Sequence, residues 1–280
     1  MLNIPFDLSA SPNKRFAPAN RCIYCGAADS KLGDEHVVPF AIAGDAAILP
    51  KASCQPCADI NNKVEGPMHR RQLKELRAVV NAPTRRPKER PEKLSIGLSR
   101  FATFVAGEQA SYLGEAEVVV ANFPVAYATL HLDRPGIIAG FALGTPLVWN
   151  IWHHSAITEE TNPFKGNANA ARIGSINPYL TAQYLARIAY AYAVAEVGVG
   201  AFTPLALDLI TGRTNFFRHW VGGELVVPPA EPALMHMLSR SWVTVRGVAY
   251  LIVTLRLFCY LGTPVHHVVV GCEKGPLAFA

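Results

Sequence analysis

The chain has 280 residues, 50% of them hydrophobic and 17% charged, with a formal net charge of +5. Such a composition supports a packed core and excludes a disordered, collagen-like or purely coiled-coil protein. The length suits one large domain or two small ones, and no apolar run reaches the ~18–20 residues that a membrane helix needs.

The first residues, Met1-Leu2-Asn3-Ile4-Pro5-Phe6-Asp7, lack the basic and apolar regions of a secretory signal, so a cytoplasmic protein is expected. Charge is uneven along the chain. Residues 1–93 carry 15 Lys and Arg against 10 Asp and Glu, whereas the remainder carries 11 of each. Residues 63–93 alone hold 10 basic and 4 acidic side chains. A surface of that kind suits a phosphate backbone, and equally a solvated helix and linker.

Two Cys-x-x-Cys pairs punctuate the first third: Cys22 with Cys25, and Cys54 with Cys57. Without a secretory signal, such pairs are better metal ligands than disulfides. Four thiolates suit a tetrahedral Zn²⁺ with no open position, hence a structural ion. A module of this size gains from such a staple. Cys259 and Cys272 stand alone in apolar segments and are expected to be buried core thiols.

Between the pairs lies Asp34-Glu35-His36-Val37-Val38-Pro39, then Gly44 and Leu49-Pro50. In that order, over roughly residues 21–66, the chain resembles the HNH nucleases, the ββα-metal endonucleases, in the subgroup with a four-cysteine zinc site. The resemblance implies phosphodiester hydrolysis, with His36 as general base on a water. An imidazole suits that task because its unperturbed pKa lies near 6.5. It also implies that Glu35 places a carboxylate oxygen on a catalytic Mg²⁺ or Mn²⁺. Adjacent side chains on a strand face opposite ways, so Glu35 and His36 share one site only near a bend or strand end.

Many family members carry Asn or His directly after the last cysteine as a further metal ligand; here that residue is Ala58, which cannot ligate. Asn61, Asn62 and Glu65 share its helical face, whereas Asp59 is rotated away. Glu65 is therefore expected to supply the missing carboxylate, with Asn61 or Asn62 as ligand or loop-positioning group. Lys63, Arg70, Arg71, Lys74 and Arg77 are expected to contact phosphates without reading sequence. His69 is a weaker candidate for a metal or phosphate contact, and simple exposure is the expectation there.

Residues 81–93 hold three prolines and seven charges without apolar periodicity, which predicts an extended linker. In the remainder, segments 115–122, 125–133, 137–143 and 146–153 read as strands between Pro and Gly turn signals. Asn177 as N-cap and Pro178 in the first turn open a helix to about Val197, with Gly198 as its stop. Thr203-Pro204 predicts a second, shorter helix ending near Gly212. Segments 242–245, 249–260 and 265–271 are again strand-like. His153-His154 and His266-His267 are expected to send their rings to opposite faces. Trp149, Trp152 and Trp220 read as core or rim, and Gly222-Gly223 does not form a phosphate loop.

The expected fold class is α+β: a small zinc-stapled ββα-metal module over 1–80, a basic linker over 81–93, and a larger α+β domain of unassigned role over 94–280. The expected function is a divalent-metal-dependent endonuclease, with DNA preferred over RNA on the resemblance alone, and no membrane partner. The competing reading is a non-catalytic, zinc-stabilised nucleic-acid-binding or interaction module that has lost its catalytic metal.

Overall fold

The computed structural model describes residues 14–100, 111–156, 170–172 and 176–274. The opening segment 1–7, read above for a signal, lies outside them. Strand β1 is Lys14–Arg15, β2 is Leu32–His36 and β3 is Ala47–Cys54, with helix α1, Phe40–Ala43, between the last two. Helix α2, Gln55–Pro67, runs into a π-helical turn, Met68–Gln72, and is followed by α3, Lys74–Val79. Then come β4 (Lys93–Arg100), β5 (Ser111–Val119), β6 (Val125–Leu132), α4 (Gly136–Ala139), β7 (Trp149–Ala156) and β8 (Ala170–Arg172). Helix α5, Pro178–Val197, precedes β9 (Thr203–Pro204), α6 (Leu207–Ile210), α7 (Phe217–Trp220) and β10 (Val221–Gly223). Strands β11 (His236–Val245), β12 (Val248–Leu257) and β13 (His266–Cys272) close the described chain.

The architecture mixes helices with four sheets among the described residues. In the first sheet β3 is central, antiparallel to β2 and parallel to β1. The hairpin β2–β3 passes directly into α2, because Cys54 ends the strand and caps the helix while Pro56 fits the first turn. The largest sheet runs β10-β13-β12-β11, with β9 joined to β13, and every pairing in it is antiparallel. Sheets β5-β4-β8 and β6-β7 are smaller.

Helix α5 organises the core. Asn177 Oδ1 accepts from Leu180 N–H at 3.0 Å, and Gly198, at φ 92°, ends the helix. Every residue from Ala182 to Val194 except Tyr192 is buried. A helix apolar all round belongs inside, and its many alanines let neighbouring elements approach closely. One continuous hydrophobic cluster includes Cys22, Val37 and Leu49 near the first sheet, Ala186 and Ala189 on α5, and Val253 and Val268 in the large sheet.

Several expectations need correction. Segment 137–143 is not a strand: α4 forms after Pro135, and Gly140 in the left-handed region closes it. Its Ile-Ile-Ala run was too short for periodicity to separate helix from strand. Thr203-Pro204 does not open a helix but pairs with β13, Thr203 opposite Cys272. Strand β11 begins at His236, well before 242, and β12 stops at Leu257, where Phe258 turns to φ 58°. The linker carries a short 3-10 turn, Pro87–Glu89, and ends as Lys93 enters β4.

Cys259 and Cys272 are fully buried. Gly222 and Gly223 lie in β10, where a Cβ on Gly222 would stand 2.2 Å from Pro135 N. Trp149 and Trp152 are about half exposed, and Trp152 stacks on His131 with centroids 4.0 Å apart. No helix among the described residues is long and apolar enough to cross a membrane.

Candidate functional site

The four paired cysteines converge. Their sulfur atoms all lie within 4.8 Å of one another, and Cys25 and Cys54 Sγ are 3.6 Å apart. A tetrahedron with metal–sulfur bonds of about 2.3 Å has edges of roughly 3.8 Å, so the cluster fits one metal ion. Cys22 and Cys25 flank a turn closed by Gly26 N–H on Cys22 O at 2.8 Å, with Gly26 at φ 79°. Cys54 and Cys57 come from the junction of β3 with α2.

A separate cavity of about 420 Å³, lined by none of the four cysteines, is walled by β2, α2, the linker and Arg187. Glu35, His36, Asn61, Asn62 and Glu65 all line it, so the structure brings together the residues named for catalysis and metal binding. Ala58 lines it as well, on the same face of α2. His36 is the last residue of β2, and the pairing shifts register between Gly33 and Glu35. The strand end and the irregularity let two adjacent side chains reach one cavity.

His36 Nε2 lies 2.9 Å from Asp45 Oδ1. A carboxylate only accepts, so Nε2 is the donor in this pair. The His36 side chain is 19% exposed, and the Phe40 ring meets it edge-on at 5.8 Å. Arg85, from the linker, lies over the Phe40 ring, 5.3 Å from its centroid, and lines the same cavity.

Arg187, from the middle of α5, closes the cavity floor. Its Nη1 is 3.1 Å from Glu35 Oε1, and its Nε and Nη2 are each 2.6 Å from Glu65 Oε1. Nη1 and Nη2 also donate to the His36 carbonyl at 3.3 and 3.1 Å. Glu35 is buried and accepts from the Tyr24 hydroxyl at 2.9 Å. Burial raises its pKa, against the lowering pull of Arg187 and Tyr24. Burial also works against the charge on Arg187, but Glu65 and Glu35 hold its pKa above the ordinary arginine value. Asn61 is buried, and its Nδ2 has no hydrogen-bond partner among the described residues.

The donor set does not fit a second metal. Among the described residues, the four cysteines are the group of three or more His, Cys, Asp or Glu side chains whose ligand atoms converge. Glu35, His36 and Glu65 do not form another such group, and Glu35 Oε1 and Glu65 Oε1 both face Arg187.

Chain comparison adds no family: no family model, curated protein or solved structure matches this sequence.

The basic residues divide. Lys63, Arg70, Arg71 and Lys74 are exposed. Arg77 is half-buried and lines the cavity; it donates to the Ala41, His69 and Pro83 carbonyls at 2.8, 3.0 and 3.3 Å, tying α3 to α1 and the linker. His69 is buried rather than exposed, and its Nε2 is 2.9 Å from the Tyr184 hydroxyl. The π-helical turn rotates it inward, out of phase with an uninterrupted helix. Burial, aided by Arg77, Arg187 and Arg70, lowers its pKa to about 3.

Sequence reasoning missed Asp45, Tyr24, Arg85 and Arg187. Arg187 had a visible signal: with Glu196 it is one of two charged residues in the otherwise apolar α5.

Proposed function

We propose that this chain is an endonuclease of the HNH type that hydrolyses phosphodiester bonds in DNA. The observation that carries the reading is the His36–Asp45 pair, 2.9 Å apart, at a cavity that His36 shares with Glu35, Asn61, Asn62 and Glu65. A hairpin with a helix directly after it, carrying cysteines at the junction, supports the ββα-metal assignment. The four sulfurs take Zn²⁺ as a structural ion, and their reduced state suits the cytoplasm.

In this reading His36 Nδ1 takes a proton from a water in the cavity, and the resulting hydroxide attacks phosphorus in line with the bond that breaks. The 3′-oxygen departs and is protonated from solvent. Asp45 holds the imidazole in the tautomer that leaves Nδ1 open and stabilises the imidazolium that forms. Arg85, exposed and in the cavity lining, supplies positive charge for the phosphate backbone together with Lys63, Arg70, Arg71 and Lys74. The family's Mg²⁺ or Mn²⁺ takes no step here, since the carboxylates that would hold it are paired with Arg187 in the same cavity.

A second reading has its own support: Ala58 lines the cavity where a ligand is needed, and Arg187 engages both carboxylates, as in a nucleic-acid-binding module without catalysis. Incubation of purified protein with supercoiled plasmid separates the two. Nicking supports the nuclease; retardation in a gel with no nicking supports the binding module.

A further inference from the structure

Metal-dependent phosphodiester hydrolysis places a divalent cation against carboxylates in the centre. In this chain a guanidinium stands against both available carboxylates. Arg187 is buried, with 3% of its side chain exposed, and its three nitrogens lie 2.6–3.1 Å from single oxygens of Glu65 and Glu35. A divalent ion bridging those oxygens would sit about 2.1 Å from each, inside the space the guanidinium fills. An arginine cannot vacate the position by losing its proton, because the guanidinium stays charged at any working pH.

The same side chain holds the main chain of the proposed base, through two bonds to the His36 carbonyl. Burying a guanidinium is costly unless its donors are met, and here each nitrogen has an acceptor in or beside the cavity. Helix α5 is thereby joined to the hairpin and to α2 through one residue.

We propose that Arg187 is the resident cation of this centre. It neutralises Glu35 and Glu65, positions the His36 backbone, and keeps a divalent ion from the place between the two carboxylates. The term centre rests on the nuclease reading; the cation assignment does not, and its test uses no activity.

The zinc-loaded full chain is titrated with Mn²⁺, following free Mn²⁺ by electron paramagnetic resonance and the unfolding temperature in parallel. The variants are Arg187→Met, Arg187→Lys, Glu65→Gln and the double variant Arg187→Met/Glu65→Gln. The wild type and Arg187→Lys are expected to leave millimolar Mn²⁺ free and to show no rise in Tm. Arg187→Met is expected to bind one Mn²⁺ per chain. Its Tm should rise by roughly 5 °C at an Mn²⁺ concentration about 100-fold above the dissociation constant. The double variant should lose that gain. A merely structural arginine would give no such gain on removal. One Mn²⁺ bound by the wild type and lost in Glu65→Gln overturns the proposal, as does a folded Arg187→Met that binds none. Should Arg187→Met fail to fold, the wild type and Glu65→Gln decide. No binding by either supports the proposal, and one equivalent lost on the substitution overturns it.

Discussion

Asp45 Oδ1 accepts a hydrogen bond from His36 Nε2 at 2.9 Å, although the two residues lie on opposite sides of α1 in the chain. In the proposed mechanism that bond leaves Nδ1 as the nitrogen that accepts the proton. Asp45→Ala is expected to slow plasmid cleavage about 10- to 100-fold, the usual cost of removing a group that orients a working histidine. Gel retardation should stay unchanged, because Asp45 does not belong to the exposed basic surface. Equal cleavage rates in the variant and the wild type would show that the pair has no catalytic part.

Removing the cysteine-bound ion should unfold more than the hairpin. The Tyr190 hydroxyl on α5 donates to the Ile23 carbonyl at 2.9 Å, between two of the cysteines, and the hydrophobic cluster continues from there into the large sheet. Zinc analysis should give one ion per chain. Chelation, or Cys57→Ser, should lower the unfolding temperature of the whole transition. Calorimetry that shows an unchanged main transition after zinc loss would contradict this coupling.

Six histidines are held below their ordinary pKa, His69, His236 and His266 furthest. Burial lowers the pKa of His69 to about 3 and of His236 and His266 to about 4. Each ring is neutral when folded and takes a proton near pH 6.5 once unfolded. Their contribution is therefore complete above about pH 6.5 and is lost as pH falls toward 4, by roughly 1.4 kcal/mol per pH unit for each ring. Urea denaturation between pH 7 and 5 should show the decline, and His69→Gln should make it shallower. A flat profile over that interval would mean that the rings titrate alike in both states.

Gly222→Ala tests a close approach rather than a binding loop. The new Cβ would stand 2.2 Å from Pro135 N and 2.4 Å from Pro135 Cδ. Backbone cannot yield as a flexible side chain can, so a loss of about 2–3 kcal/mol in urea denaturation is expected. A loss below about 0.5 kcal/mol would show that the β10–Pro135 contact relaxes freely.

How far the sequence reached depended on the distance over which each signal acts. The Cys-x-x-Cys pairs and the caps of α5 are local: Asn177 and Gly198 bound the helix as their side chain and backbone freedom require. The placing of Asn61, Asn62 and Glu65 with Ala58 on one cavity wall followed from helical spacing alone. The short elements failed where tertiary pairing decided, as at Thr203-Pro204, which β13 recruits as a strand. His69 was misplaced because the π-helical turn adds a residue that no simple period anticipates. Arg187 reaches the His36 carbonyl across 151 residues of chain, and no spacing rule connects them. Its isolation in an apolar helix showed that it needed partners without showing which.

The base role of His36 is tested most directly by single-turnover cleavage of supercoiled plasmid, comparing wild type with His36→Ala at matched zinc content and equal gel retardation. The expected result is a rate lower by about 100-fold or more in the variant, the range of a lost general base. A variant that binds zinc and DNA normally and cuts at the wild-type rate would contradict the assignment of His36.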